Sequence, residues 1–157
     1  MSVPLQDGMM GLHAQLEQRF HAHQVALLDR DFERAGSELD AYRERLFAHM
    51  IDEEERVLPH YRDLGGDATD APVRLFTGEH ARMREFVLDC LQRTRGLAAR
   101  PDDRDLLALF DREATYKNLV LHHDLRERNV LYPFLGARIA EPAQRELFAS
   151  MRWRGEA

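Results

Sequence analysis

Apolar residues along this chain recur at intervals of three and four. Phe20, Ala26 and Leu27 do so in a first segment, and Leu39, Tyr42, Leu46 and Met50 in a second. Leu75, Phe76, Met83, Phe86, Val87 and Leu91 continue the period in a third, and Leu106, Leu109, Phe110, Leu119 and Leu121 in a fourth. That period gathers them on one stripe of an α-helix, and no alternating strand pattern competes with it. Breakers fall in three places: Ala35-Gly36-Ser37, the run from Leu64 to Pro72, and Arg100-Pro101-Asp102. Gly36 suits the left-handed residue after a helix, and Ser37 suits the cap of the next. The pattern predicts helices near 9–35, 38–63, 72–99 and 103–136, with a short fifth helix at 141–153. Pro59 and Pro133 fall near helix ends, where a proline kinks or terminates the last turn. Helices of this length run about 40 Å, and short connections make consecutive ones antiparallel. The expected fold is all-α: an up-down-up-down antiparallel four-helix bundle with a short C-terminal helix. The 157 residues form one domain, the bundle spanning about 9–136.

Composition narrows the function. A net charge of −6 without a long basic run argues against nucleic acid or an anionic membrane as partner. No stretch approaches the roughly 18 apolar residues of a membrane span, and no export signal opens the chain, so the expected compartment is the cytoplasm. The single cysteine, Cys90, excludes an internal disulfide and reads as a buried, inert thiol.

The candidate chemistry is a motif that occurs twice, 74 positions apart. His49-Met-Ile-Asp-Glu53 leads to Leu58-Pro59, and His123-Asp-Leu-Arg-Glu127 leads to Tyr132-Pro133. Residues four apart share one helix face, and an imidazole beside a carboxylate suits iron, manganese or zinc. One such pair is ordinarily solvated; two on separate helices, each among apolar neighbours, point to a shared metal site. Hairpin geometry adds histidines. With the first turn at Gly36, His23 lies 13 before it and His49 13 after. With the third turn at 101–102, His80 and His123 are level too. The candidate ligands are His23, His49, Glu53, His80, His123 and Glu127, enough for one or two ions. The first helix leaves a choice among His13, His21 and His23: a turn at Arg30-Asp31 would make His13 the level partner of His49. On the Gly36 turn, His13 and His60 read as surface residues. His122 competes with His123, which the repeat favours.

These segments resemble the hemerythrin-like, or HHE cation-binding, family. The resemblance rests on His49-Met-Ile-Asp-Glu-Glu-Glu-Arg-Val-Leu-Pro, Thr77-Gly-Glu-His80 and Leu121-His-His-Asp-Leu-Arg-Glu-Arg-Asn-Val-Leu-Tyr-Pro, with Phe20-His-Ala-His as the first-helix segment. It covers about residues 10 to 136. It implies a non-haem, oxo- or hydroxo-bridged di-iron centre, with Glu53 and Glu127 bridging and His23, His49, His80 and His123 terminal. Zinc or manganese are alternatives. Oxygen-carrying members place a second histidine one turn after that of the third helix; here Arg84 stands there. The implied activity is therefore to bind or react with oxygen, peroxide or nitric oxide, in sensing, detoxification or iron handling, rather than to carry oxygen. An enzyme of this kind, a peroxidase or nitric-oxide-processing protein, would need an external electron donor. The alternative is an interaction protein with a structural, single or absent metal. Tyr42 and Tyr116 are equivalent in the repeat and suit either a hydrogen bond near the site or an amphipathic core.

Overall fold

The computed structural model describes residues 4–156, and among them every regular element is helical. Helix α1 (Leu5–Leu28) leads to α2 (Phe32–Asp52), which continues through a π turn, Glu53–Val57, into α3 (Leu58–Asp63). A single 3-10 turn at Gly66–Ala68 precedes α4 (Val73–Ala99). Then α5 (Asp103–Arg126) runs through a second π turn, Glu127–Leu131, into α6 (Tyr132–Gly136), and α7 (Glu141–Ala149) follows. Helix α2 packs on α1 and α4, α4 on α5, and α6 and α7 on α1, which makes a helical bundle.

The first turn is not at Gly36. Helix α1 closes at Leu28, with Arg30 in the left-handed region at φ 58°. The Arg30 N–H bonds the Leu27 carbonyl, and the Asp31 N–H bonds that of Ala26. This pair of bonds is a Schellman closure, with arginine where glycine usually sits. Asp31 then caps α2, its carboxylate accepting the Arg34 N–H at 3.1 Å. Gly36 lies inside α2, where an added Cβ would meet nothing nearer than Thr94 at 3.9 Å. The turn thus falls some five residues earlier than the glycine suggested.

The two prolines explain the π turns. A proline has no N–H to give to the carbonyl four residues back. Just before Pro59, the Leu58 N–H reaches the Glu53 carbonyl, five back; just before Pro133, the Tyr132 N–H reaches that of Glu127. Each helix gains one residue in a single turn and resumes. The prolines therefore neither end the helix nor break it.

The expected C-terminal helix stops early. Buried Asp52 accepts the N–H of Arg152 at 3.0 Å and of Trp153 at 3.1 Å, so the chain beyond Ala149 runs as a strap rather than a further turn. Helix α7 also lies close on α1: a Cβ on Gly8 would meet the Phe148 ring at 2.6 Å.

Apolar burial forms two clusters. One gathers Phe20, Leu39, Tyr42, Met83, Phe86 and Tyr116. The other gathers Met9, Leu58, Tyr61, Phe76, Tyr132 and Leu135. Burying a side chain of this size contributes about 1.5–3 kcal/mol. Buried histidines and carboxylates fall among residues from four helices whose neighbours in sequence belong to one cluster or the other.

Candidate metal centre

Four helices deliver the polar side chains. Helix α1 supplies His13; α2 supplies His49, with Glu53 opening its π turn. Helix α4 supplies His80, and α5 supplies His123 with Glu127 opening the second π turn. All six are buried, His13 most exposed at 9%. Donor atoms of His13, His49, Glu53 and Glu127 lie within 4.8 Å of one another, and so do those of Glu53, His80, His123 and Glu127. The two carboxylates belong to both groups.

Individual distances show the convergence. His13 Nε2 is 3.1 Å from His49 Nε2 and 3.2 Å from Glu127 Oε1. Glu53 stands 3.3 Å from His49 through Oε1 and 3.1 Å from His80 through Oε2. His123 Nε2 is 3.4 Å from Glu127 Oε1. Yet Glu53 Oε2, His80 Nε2 and both Glu127 oxygens make no hydrogen bond. Buried polar atoms without a partner are costly, and these sit close together without the angles of a hydrogen bond. Imidazole nitrogens and carboxylate oxygens are the donors that iron, manganese and zinc accept. The residues present therefore fit a metal, and Glu53 and Glu127 stand in both donor groups.

Outer partners orient several of these groups. His80 Nδ1 lies 2.9 Å from Glu54, and Arg84 grips the same carboxylate with two bonds at 3.0 and 3.1 Å. His123 Nδ1 lies 3.2 Å from Glu79, which Arg126 holds. Tyr132 donates to Glu53 Oε1 at 2.6 Å. His13 Nδ1 has Asp124 only at 3.5 Å, and His49 Nδ1 has no partner.

Electrostatics express the same crowding. Burial opposes charge on His13, but Glu127 and Asp124 outweigh it and raise its pKa to about 9. His123 is likewise pushed well above the usual range, against burial, by Glu127 and Glu79. Burial works against the Glu53 anion, yet His49 and His80 hold its pKa well below normal. Glu54, despite partial burial, is brought to about 2 by His80 and Arg84. The carboxylates thus favour positive charge beside them, which a bound cation would supply.

The structure brings together His49, Glu53, His80, His123 and Glu127, and adds His13. It places His23 elsewhere. His23 is fully buried between the Ala35 carbonyl, 2.8 Å from Nδ1, and Glu113, 2.6 Å from Nε2. The earlier turn is the physical reason, since it makes His13 level with His49. His13 is therefore not a surface residue. His21, His60 and His122 are exposed, and His122 bonds the Asn118 carbonyl in its own helix. Sequence reading also passed over Glu54, Glu79, Asp124 and Tyr132. Glu79 and Asp124 stood beside expected ligands, and Glu54 lay in an acidic run that reads equally as a solvated face.

A cavity of about 220 Å³ opens between α1 and α5 toward His13, His49 and His123. Its walls are mainly apolar, with Phe20, Met50 and Val120 among them, and the Tyr42 and Tyr116 rings line it too.

A helical bundle whose core carries two adjoining histidine–carboxylate groups defines a class of cation-binding protein. The chain belongs to the hemerythrin HHE cation-binding domain family, whose model matches residues 5–135. Neither curated proteins nor solved structures gave a significant match. No helix among the described residues is long and apolar enough to cross a membrane.

Proposed function

We propose that this chain is an up-down-up-down antiparallel bundle that holds a carboxylate-bridged di-iron centre and uses it to react with a small ligand: oxygen, peroxide or nitric oxide. The observation that carries the reading is the sharing of Glu53 and Glu127 between two donor groups. His13 and His49 would hold one ion, His80 and His123 the other, and the two glutamates both. When bound, iron supplies the redox change and the coordination position that such ligands require.

The chain's own residues do the rest. The π turns set Glu53 and Glu127 at the ends of α2 and α5, facing inward. Tyr132 donates to Glu53 and holds that carboxylate in one orientation. The apolar cavity gives a small, weakly polar ligand a route in while its walls keep bulk water out. Arg84 is committed to Glu54 by two bonds, so its charge acts on the far side of His80 rather than toward an entering anion. Reducing equivalents would come from an external donor.

The test is metal analysis with an optical spectrum of aerobically purified protein. Two irons per chain with near-ultraviolet bands of an oxo bridge are expected; zinc alone, or no metal, would overturn the reading. Cycling reduced protein between oxygen and argon then separates reaction from carriage. Irreversible oxidation is expected, and full recovery over several cycles would make it a carrier.

A further inference from the structure

Resting on the two-metal reading, we infer that the two metal positions are unequal: the His80/His123 position binds first and tightly, and the His13/His49 position is the exchangeable one. The difference lies behind the ligands. A ligating imidazole is fixed in tautomer and orientation by the partner of its other nitrogen, and losing that partner costs roughly 10–100-fold in metal affinity. His80 and His123 both have such partners. Glu54 takes His80 Nδ1 at 2.9 Å and Glu79 takes His123 Nδ1 at 3.2 Å. Each glutamate is gripped in turn by an arginine from the histidine's own helix, Arg84 and Arg126, so neither is free to swing away.

The other position lacks this support. His49 Nδ1 is buried without a hydrogen bond, and the ring lies edge-on to Trp153 at 6.3 Å. His13 Nδ1 has Asp124 at 3.5 Å and no hydrogen bond. The bridging carboxylates serve both ions, so they do not level the difference. Glu54, Glu79, Arg84 and Arg126 are thus positioning residues for one metal only. The consequence is a stable one-metal form, with occupancy of the second position following metal supply.

The experiment is an anaerobic titration of metal-free full-length protein with cobalt(II) against a competing chelator, followed by visible absorption. Two phases are expected, the first tighter by roughly tenfold or more. Glu54→Ala should weaken the first phase by roughly 10–100-fold and leave the second unchanged. Glu54→Gln, which keeps an acceptor for His80, should fall between. His49→Ala should remove the second phase and keep the first. Circular dichroism verifies folding of each variant, and a merely structural role for Glu54 would move both phases together. Two ions bound with equal affinity, or a first phase lost in His49→Ala, would overturn the inequality while leaving the two-metal reading intact. Saturation at one ion would overturn the two-metal reading itself.

Discussion

The hydroxyls of Tyr42 and Tyr116 meet at 2.6 Å in the centre of the bundle. These are equivalent residues of the 74-residue repeat, and burial raises the pKa of both above the ordinary phenol range. The contact is a neutral hydrogen bond between α2 and α5. Phe20 packs against both rings, at 5.2 and 5.4 Å between centroids. Removing either hydroxyl leaves the other buried without its partner, which costs about 1–3 kcal/mol; removing both leaves the shape and no orphan. Urea unfolding of the metal-loaded protein should therefore show Tyr42→Phe and Tyr116→Phe each destabilising, and the double variant better than their sum. Additive losses would refute the coupling.

His13, rather than His23, stands beside His49 and Glu127, while His23 pairs with Glu113. His13→Ala should lower metal content per folded chain. His23→Ala should leave that content unchanged but destabilise the fold by about 1–3 kcal/mol, because it leaves the buried Glu113 carboxylate with Gln24 as its remaining hydrogen-bond partner. Metal analysis and chemical unfolding of both variants check this. Metal loss in His23→Ala with normal stability would restore the sequence expectation.

Trp153 is the chain's only tryptophan, and its ring centroid lies 6.3 Å from that of the His49 imidazole. Loading metal-free protein with iron(II) should quench its emission strongly. His49→Ala should blunt the quenching at saturation. Emission that ignores the metal would show that the strap does not sit over the site.

Cys90 is buried and bonded to nothing that would favour a thiolate. Burial first, then the nearby charges of Glu113 and Asp89, push its pKa up to about 12. Thiol reactivity needs the anion, so a disulfide reagent should fail to label native protein even at pH 9 and should label it fully in denaturant. Rapid native labelling would disprove the burial.

Sequence made the helices legible because their apolar stripes are long and regular. It also exposed five of the six converging residues, because Glu53 and Glu127 sit one turn from a histidine and recur together. It misplaced the first turn because the chain closes α1 on Arg30, a residue with no left-handed preference, while Gly36 and Ser37 carry stop-start chemistry that α2 absorbs. One displaced turn was enough to choose His23 over His13. The π turns were half visible: Pro59 and Pro133 marked a disturbance, but a missing N–H does not say whether a helix kinks, ends or widens. Glu54, Glu79 and the strap on Asp52 rest on contacts between distant segments, which periodicity does not report.

The two apolar clusters meet across a layer of buried charge, and Trp153 is a residue that packs against both. Four long helices pass through that layer, so the backbone is continuous where the oil is not. A metal bound there would work as a rivet through both halves. Without it, each half would open on its own, and amide exchange would sort the backbone into two populations that divide at the π turns rather than one that unfolds together.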